Sequence, residues 1–192
     1  MSFRCVCRLM AGLAAGWLAI PDGSAQPYLG LGVSRLSLAS QYSAIDARSA
    51  TGFTLIGGIE LAPTWFAELS VSAAEGIDTG PTENIFYPAD SAEYSILRLG
   101  VGKSFWALAE RRWTPWVSAG WSYHFINWDT FWYQVEGPGV SLGAGVDIEP
   151  ARSWRLRIQA MRHRFSAHDT YGYGPYSSRT SEVSAAVMYA FR

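Results

Sequence analysis

Between Val140 and Ile148 the chain reads V-S-L-G-A-G-V-D-I. Val140, Leu142, Ala144, Val146 and Ile148 fall on one side of an extended segment, and Ser141, Gly143, Gly145 and Asp147 on the other. Successive side chains of a strand point to opposite faces, so a two-residue period marks a strand with one apolar face. The second face is the unusual one. A strand facing water carries a row of charged side chains, whereas this one carries small residues and a single acid. That composition suits the lining of a narrow enclosed space.

The same period recurs along the chain. Phe53, Leu55, Ile59 and Leu61 alternate with Gly52, Thr54, Gly58 and Glu60, and Trp65, Ala67, Leu69 and Val71 with Phe66, Glu68, Ser70 and Ser72. Leu97, Leu99 and Val101 alternate with Arg98, Gly100 and Gly102, and Val117 to Phe125 with Trp116 to His124. Trp154, Leu156 and Ile158 alternate with Arg155, Arg157 and Gln159, and Val183 to Phe191 with Glu182 to Ala190. With Tyr28–Leu38 this makes eight strands of roughly ten residues each, the length that crosses a bilayer at a tilt. In that first segment Leu29, Leu31 and Val33 share a parity that Leu36 and Leu38 break, which predicts a bulge near Arg35. Short connections centre near Pro63, Ala109 and Ala151, and long ones near Ala44, Glu83, Trp132 and Gly172. Tight turns on one side and display loops on the other describe an all-β, up-and-down antiparallel meander. A propeller blade of similar period needs four strands and is excluded.

Composition agrees. Of 192 residues, 16% are charged and 15% aromatic, against a usual charged share of about 25%. With 15 Lys and Arg against 16 Asp and Glu there is no basic footprint, which excludes nucleic acid as a partner. No apolar run after residue 20 approaches the ~18 residues of a transmembrane helix. At the start, Arg4 and Arg8 precede the apolar stretch Leu9–Ile20, followed by Pro21 and the small residues Gly23, Ser24 and Ala25. This is the pattern of a secretory signal cleaved after Ala25, leaving one domain over residues 26–192. Cys5 and Cys7, the two cysteines of the chain, lie inside that leader. The processed chain has neither a disulfide framework nor a thiolate metal site, and no cofactor is expected.

Eight antiparallel strands close either as a soluble barrel, apolar inside, or as a membrane barrel, apolar outside. The non-apolar face carries Gly, Ser and Thr with isolated Glu60, Glu68, Arg98, Asp147, Arg155, Arg157 and Glu182. Those charges are too sparse for a wet exterior and suit an ion-paired interior. Trp65, Phe105, Trp106, Trp113 and Trp154 lie by the short turns, and Tyr94, Tyr123, Phe125 and Phe165 by the long loops, predicting two aromatic girdles. An eight-stranded transmembrane β-barrel follows, closed because an open edge in hydrocarbon strands its backbone polar groups.

The final segment carries a second signal. Val183, Ala185, Val187, Tyr189 and Phe191 form a period-two apolar row ending on an aromatic. In this the chain resembles the small outer-membrane β-barrel family, that of the outer membrane protein A transmembrane domain, over about residues 27–192. The resemblance implies that Val187, Tyr189 and Phe191 serve as an assembly signal read by the barrel-assembly machinery, with Arg192 a departure after the terminal Phe. It implies an integral place in the outer membrane, with both chain ends in the periplasm and outer-membrane lipid and lipopolysaccharide as partners. The family's periplasmic peptidoglycan-binding domain is not expected.

Within the barrel, a turn centred at Ala151 predicts Asp147 opposite Arg155, and one at Thr64 predicts Glu60 opposite Glu68, with Arg98, Arg155 and Arg157 as counter-ions. Arg162 and Arg164 take the outward parity near the rim, where lipopolysaccharide phosphates suit their guanidinium groups. Three histidines remain. His163 and Ser166 approach the His-x-Ser motif of an outer-membrane lipid A deacylase family, but their three-residue spacing puts them on opposite faces. Ser166 and His168 have the right spacing reversed, in an expected loop. His124, Asp129 and Asp169 are too sparse for a metal site. The segments Asn127–Tyr133 and Tyr171–Tyr176 are aromatic-rich and suit a surface ligand. The expected role is a structural or surface-interaction one without catalysis, with a narrow small-solute pore and a lipid A-modifying hydrolase as alternatives.

Overall fold

The computed structural model describes residues 26–40, 49–78, 91–106, 112–128, 133–172 and 174–191. The expected leader, residue 192 and the centres of the connections near Ala44, Glu83, Ala109 and Trp132 lie outside them. Eight strands follow in order: β1 (Gln26–Ser40), β2 (Ser49–Ala62), β3 (Trp65–Asp78), β4 (Ser91–Ser104), β5 (Trp113–Trp128), β6 (Tyr133–Ala151), β7 (Trp154–Asp169) and β8 (Tyr176–Ala190). Each pairs antiparallel with its sequence neighbours, and β8 pairs with β1, closing the barrel.

The register sets the tilt. Crossing the barrel at right angles to the strands from Leu29, successive partners are Gly57, Leu69, Leu99, Trp121, Val140, Arg164, Arg179 and Ala39. The path returns to β1 ten residues further on (39 − 29). For eight strands ~4.8 Å apart rising ~3.3 Å per residue, that stagger tilts the strands by about 40°. Each residue then climbs ~2.5 Å along the barrel axis.

The strands run to 14–19 residues, longer than the expected ten. The reason is an exchange of faces along each strand. In the turn-side part, apolar residues point outward: Leu29, Leu31 and Val33 on β1, Leu156 and Ile158 on β7, and Val183 and Val187 on β8 are all exposed. Toward the loops the outward positions become polar, with Arg35 and Ser37 on β1, Arg162 and Arg164 on β7, and Arg179 and Ser181 on β8. There the inward positions become apolar instead. Leu36, Leu38, Ala50, Ala74, Ala92, Tyr94, Ile96, Ile126, Val135, Phe165 and Ala167 form one buried cluster inside the loop end. A barrel that leaves the bilayer must move its apolar side from lipid contact to its own core, because water now bathes the outside.

This exchange corrects the bulge expected near Arg35. β1 keeps unbroken register with both neighbours from Tyr28 to Ser37. Leu36 and Leu38 break the outward parity because they point into the core, where both are fully buried. Bulges lie elsewhere, between Glu60 and Ala62, Ala74 and Ile77, and Ile148 and Ala151. The second contains Gly76 at φ 70°, a backbone setting that glycine adopts at no steric cost. The connection expected near Trp132 is also shorter than the sequence suggests, since Asn127 and Trp128 pair with Gln134 and Tyr133 as strand.

The turn-side girdle forms: Trp65, Phe105, Trp113 and Trp154 are exposed around the turn end, joined by Tyr189 and Phe191, while Trp106 is half-buried edge-on against Trp113 at 5.1 Å. The loop-side girdle does not. Tyr94 and Phe165 are buried inside the barrel, and Tyr123 and Phe125 belong to a ladder on β5 with Trp121, centroids 5.8 and 4.8 Å apart. Face exchange moves the first two inward.

Candidate functional site

The barrel interior holds the charged residues in a layer on the turn side. Arg157 donates from Nε and Nη2 to the two carboxylate oxygens of Asp147, each at 2.7 Å. Its Nη1 pairs with Glu68. Arg98 donates to the other Glu68 oxygen at 3.0 Å, to Ser118 at 2.8 Å and to Ser141 at 3.2 Å. Tyr28 donates its hydroxyl to Glu68 and Trp116 its indole N–H to Asp147, both at 3.0 Å. The Arg157 guanidinium lies 4.7 Å from the Trp116 ring centre, with Phe66 and Tyr28 at 5.3 and 5.6 Å. Charge-assisted bonds of this kind satisfy buried ions that would otherwise be costly to desolvate.

The bulges change two expected partnerships. Asp147 is paired across the hairpin with Arg157, not Arg155, because the irregularity between Ile148 and Ala151 moves the turn to Arg152–Ser153. Arg155 pairs with Glu60 instead. Glu60 and Glu68 do not face each other: Glu60 lies opposite Phe66, and Glu68 opposite Gly58. The missing side chain at Gly58 is what admits the Tyr28 ring, since a Cβ there would collide with it. Gly145 likewise clears the Trp116 ring. Tyr28, Trp116, Ser118 and Ser141 complete the charged layer and were not singled out from the sequence. Their inward parity was visible, but the distance each spans was not.

Above this layer sits a polar zone. Ser72 donates to Glu182 at 2.7 Å and lies 3.0 Å from Thr54, while the other Glu182 oxygen is 3.5 Å from His163 Nε2. Gln159 Oε1, both His163 ring nitrogens and Ser184 Oγ are buried without a hydrogen-bond partner among the described residues. Higher still, the Tyr94 hydroxyl is 2.6 Å from His124 Nδ1 and 2.5 Å from Thr180 Oγ1. His124 also meets Ser122 at 2.9 Å and stacks on Phe165 at 3.9 Å. That places His124 in the wall of the apolar plug.

Outside the barrel, Arg162 and Arg164 are exposed on β7, as their parity requires. His163 is buried and Ser166 exposed, so they lie on opposite faces of β7. Ser166, Ala167 and His168 continue β7 rather than forming a loop, with Ser166 and His168 on its outer face. Among the described residues no three His, Cys, Asp or Glu side chains converge as metal ligands. Val187, Tyr189 and Phe191 line the outer surface at the turn end, where Tyr189 meets Trp154 and Phe191 edge-on at 5.2 and 5.1 Å.

Solved structures share this architecture. Neisserial surface protein A (NspA) matches with a TM-score of 0.67 at 12% identity, over 88% of this chain and 100% of that one. OprG from Pseudomonas aeruginosa gives 0.56 at 10% identity, over 87% and 96%. Ail, the attachment invasion locus protein of Yersinia pestis, solved with the heparin analogue sucrose octasulfate, gives 0.54 at 10% identity, over 87% and 100%. At such identities the likeness is one of fold. No curated protein sequence matches the chain. The model of the outer membrane protein beta-barrel domain matches residues 5–191, and the chain belongs to that family of integral outer-membrane proteins.

Proposed function

We propose that this protein is a non-catalytic outer-membrane barrel with a structural or surface-interaction role, whose interior is a closed core rather than a conduit. The carrying observation is the double seal. Arg157, Asp147, Glu68 and Arg98 cross the turn end as one bonded layer, and the apolar cluster around Leu36, Leu38, Tyr94 and Phe165 fills the loop end. Eight strands leave an interior that side chains just fill, which supports the same reading. Contact with the outside then falls to the loops, where Tyr171 is 69% exposed. NspA is by name a surface protein and Ail an attachment invasion locus protein, and a surface role here is consistent with those names.

Single-channel recording in planar bilayers tests this. The reading expects no conductance steps from the refolded barrel; reproducible steps overturn it. A narrow pore is the second reading, favoured by the buried polar atoms of Gln159, His163 and Ser184 between the two seals, which make no hydrogen bond among the described residues. The hydrolase alternative predicts altered lipid A mass spectra from cells carrying the protein, and unchanged spectra remove it.

A further inference from the structure

Two pairs of like charges stand on the outer wall near the loop end. Arg164 on β7 and Arg179 on β8 are directly opposed in the register, and both are exposed. On β3 and β4 the pairing of Ala74 with Tyr94 is followed by that of Ile77 with Ala92, so Glu75 and Gly76 together face Glu93. Gly76, at φ 70°, forms this bulge, and Glu75 and Glu93 are both exposed beside it. Like charges placed across a strand pair repel, and none of these four side chains makes an ion pair among the described residues. Their neighbours give no relief. Toward the loops, the outward positions of β3, β4 and β5 hold no base, and those of β7, β8 and β1 no acid. Glu136 on β6, between the two pairs, takes a hydrogen bond from Gln134.

The two pairs share one level. Leu69 and Leu99 lie on the same right-angle path as Arg164 and Arg179, and each strand step along that path climbs ~3 Å with the tilt. Glu75 is six residues above Leu69 on β3 (75 − 69), and Glu93 six above Leu99 on β4 (99 − 93). At ~2.5 Å per residue this adds ~15 Å to each. Counted from Leu29, the acids then stand at ~21 and ~24 Å and the arginines at ~19 and ~22 Å. Arg164 is ten residues above the girdle residue Trp154 (164 − 154), so this level is ~25 Å above that girdle, at the upper edge of the apolar band. Around the barrel the pairs lie half a turn apart, since β3–β4 and β7–β8 are separated by four strands of eight.

We infer that the barrel associates with further copies of itself in the membrane plane, head to tail, with Glu75 and Glu93 of one copy against Arg164 and Arg179 of the next. Charge and depth select the partner. A second copy inserted in the same direction carries the opposite charges at the same height, and each contact relieves the repulsion within both pairs. Two-fold pairing would instead set arginine against arginine. Complementary patches half a turn apart make a heterologous contact that does not close, so the assembly is a straight line of barrels rather than a ring or a symmetric dimer. Below the rim, apolar side chains gain little by exchanging lipid for one another. At the rim, opposite charges beside hydrocarbon attract more strongly than in bulk water, so the charged level decides which faces meet. The contact is independent of whether the interior conducts.

The test uses the refolded full barrel in phosphatidylcholine vesicles, with a cysteine one outward position below each patch, S95C on β4 or S181C on β8. Residues 26–192 hold no cysteine of their own. Oxidising a mixture of the two variants is expected to give S95C–S181C disulfide dimers at least tenfold more than either variant gives alone. Reversing the acids of the S95C barrel (E75R/E93R), or the arginines of the S181C barrel (R164E/R179E), is expected to lower that yield at least tenfold. Mixing the two reversed barrels is expected to restore it. Equal yields from the mixture and from the single variants overturn the head-to-tail contact, and failure of the reversed pair to restore the dimer overturns the charge pairing. Loss on reversing the arginines but not the acids assigns the arginines to lipid headgroups and overturns the inference as well. Heat-dependent gel mobility reports whether each variant folds; if a reversed barrel does not, E93Q and R179Q serve instead, with a threefold or larger loss expected from each and no loss overturning the contact.

Discussion

Asp147 and Arg157 face each other across the β6–β7 hairpin through two parallel hydrogen bonds of 2.7 Å, and the same guanidinium reaches over to Glu68 on β3. One side chain thereby ties strands from opposite parts of the barrel wall. Its flat faces are covered by Trp116, Phe66 and Tyr28, which keep water from competing for its charges.

Removing Arg157 leaves Asp147 with the Trp116 indole N–H but no counter-ion, and leaves Glu68 to Arg98 and the Tyr28 hydroxyl. Arg157→Ala is expected to cost about 3–5 kcal/mol, the penalty for an unpaired buried charge. Urea unfolding of the barrel in lipid vesicles measures it. An unchanged midpoint would show that the layer is solvated rather than locked.

Gly145 makes room for Trp116, so the two are expected to be coupled. Gly145→Ala drives a Cβ into the indole ring, and overpacking of this kind costs roughly 1–3 kcal/mol. Trp116→Leu in the same chain removes the indole part of that clash and leaves the close approach to the Ile158 backbone oxygen. The double variant is therefore expected to lose less stability than the sum of the single losses, in the same urea experiment. Simple additivity assigns the cost of Gly145→Ala to the Ile158 backbone oxygen rather than to the indole.

Leu38 is fully buried in the loop-end plug. Leu38→Ala is expected to cost about 2–5 kcal/mol, the range for emptying a packed core position. The stronger lesion, L36S/L38S, puts polar groups into the plug and is expected to admit water and small ions, seen as conductance steps absent from the wild type. A silent double variant argues that the charged layer alone closes the barrel.

Phe191 ends the outward row of β8, exposed at the turn-side girdle. If the row is an assembly signal, Phe191→Ala lowers the amount of heat-modifiable barrel in outer membranes while refolding into vesicles from urea stays near wild type. Equal loss in both settings assigns Phe191 to stability alone.

Much of the architecture was legible in the chain. The two-residue period of Val140–Ile148 and its counterparts specifies strands and faces, because alternation follows from backbone geometry whatever the neighbours are. The shortage of charge among Ser141, Gly143 and Gly145 specifies which face is enclosed, and the identities of Glu68, Arg98, Asp147 and Arg157 follow from their parity. Partner choice did not follow. Whether Asp147 meets Arg155 or Arg157 depends on a bulge of local backbone geometry near Ile148, and a shift of two residues preserves the parity while changing every contact. The inward turn of Leu36, Leu38, Tyr94 and Phe165 was also hidden, because apolar residues read alike whether they face lipid or a core. Only the closed barrel, with its ten-residue stagger, decides where lipid ends along each strand and brings Arg164 beside Arg179. Local alternation is a property of consecutive residues, whereas register, depth and partnership belong to strands distant in the chain.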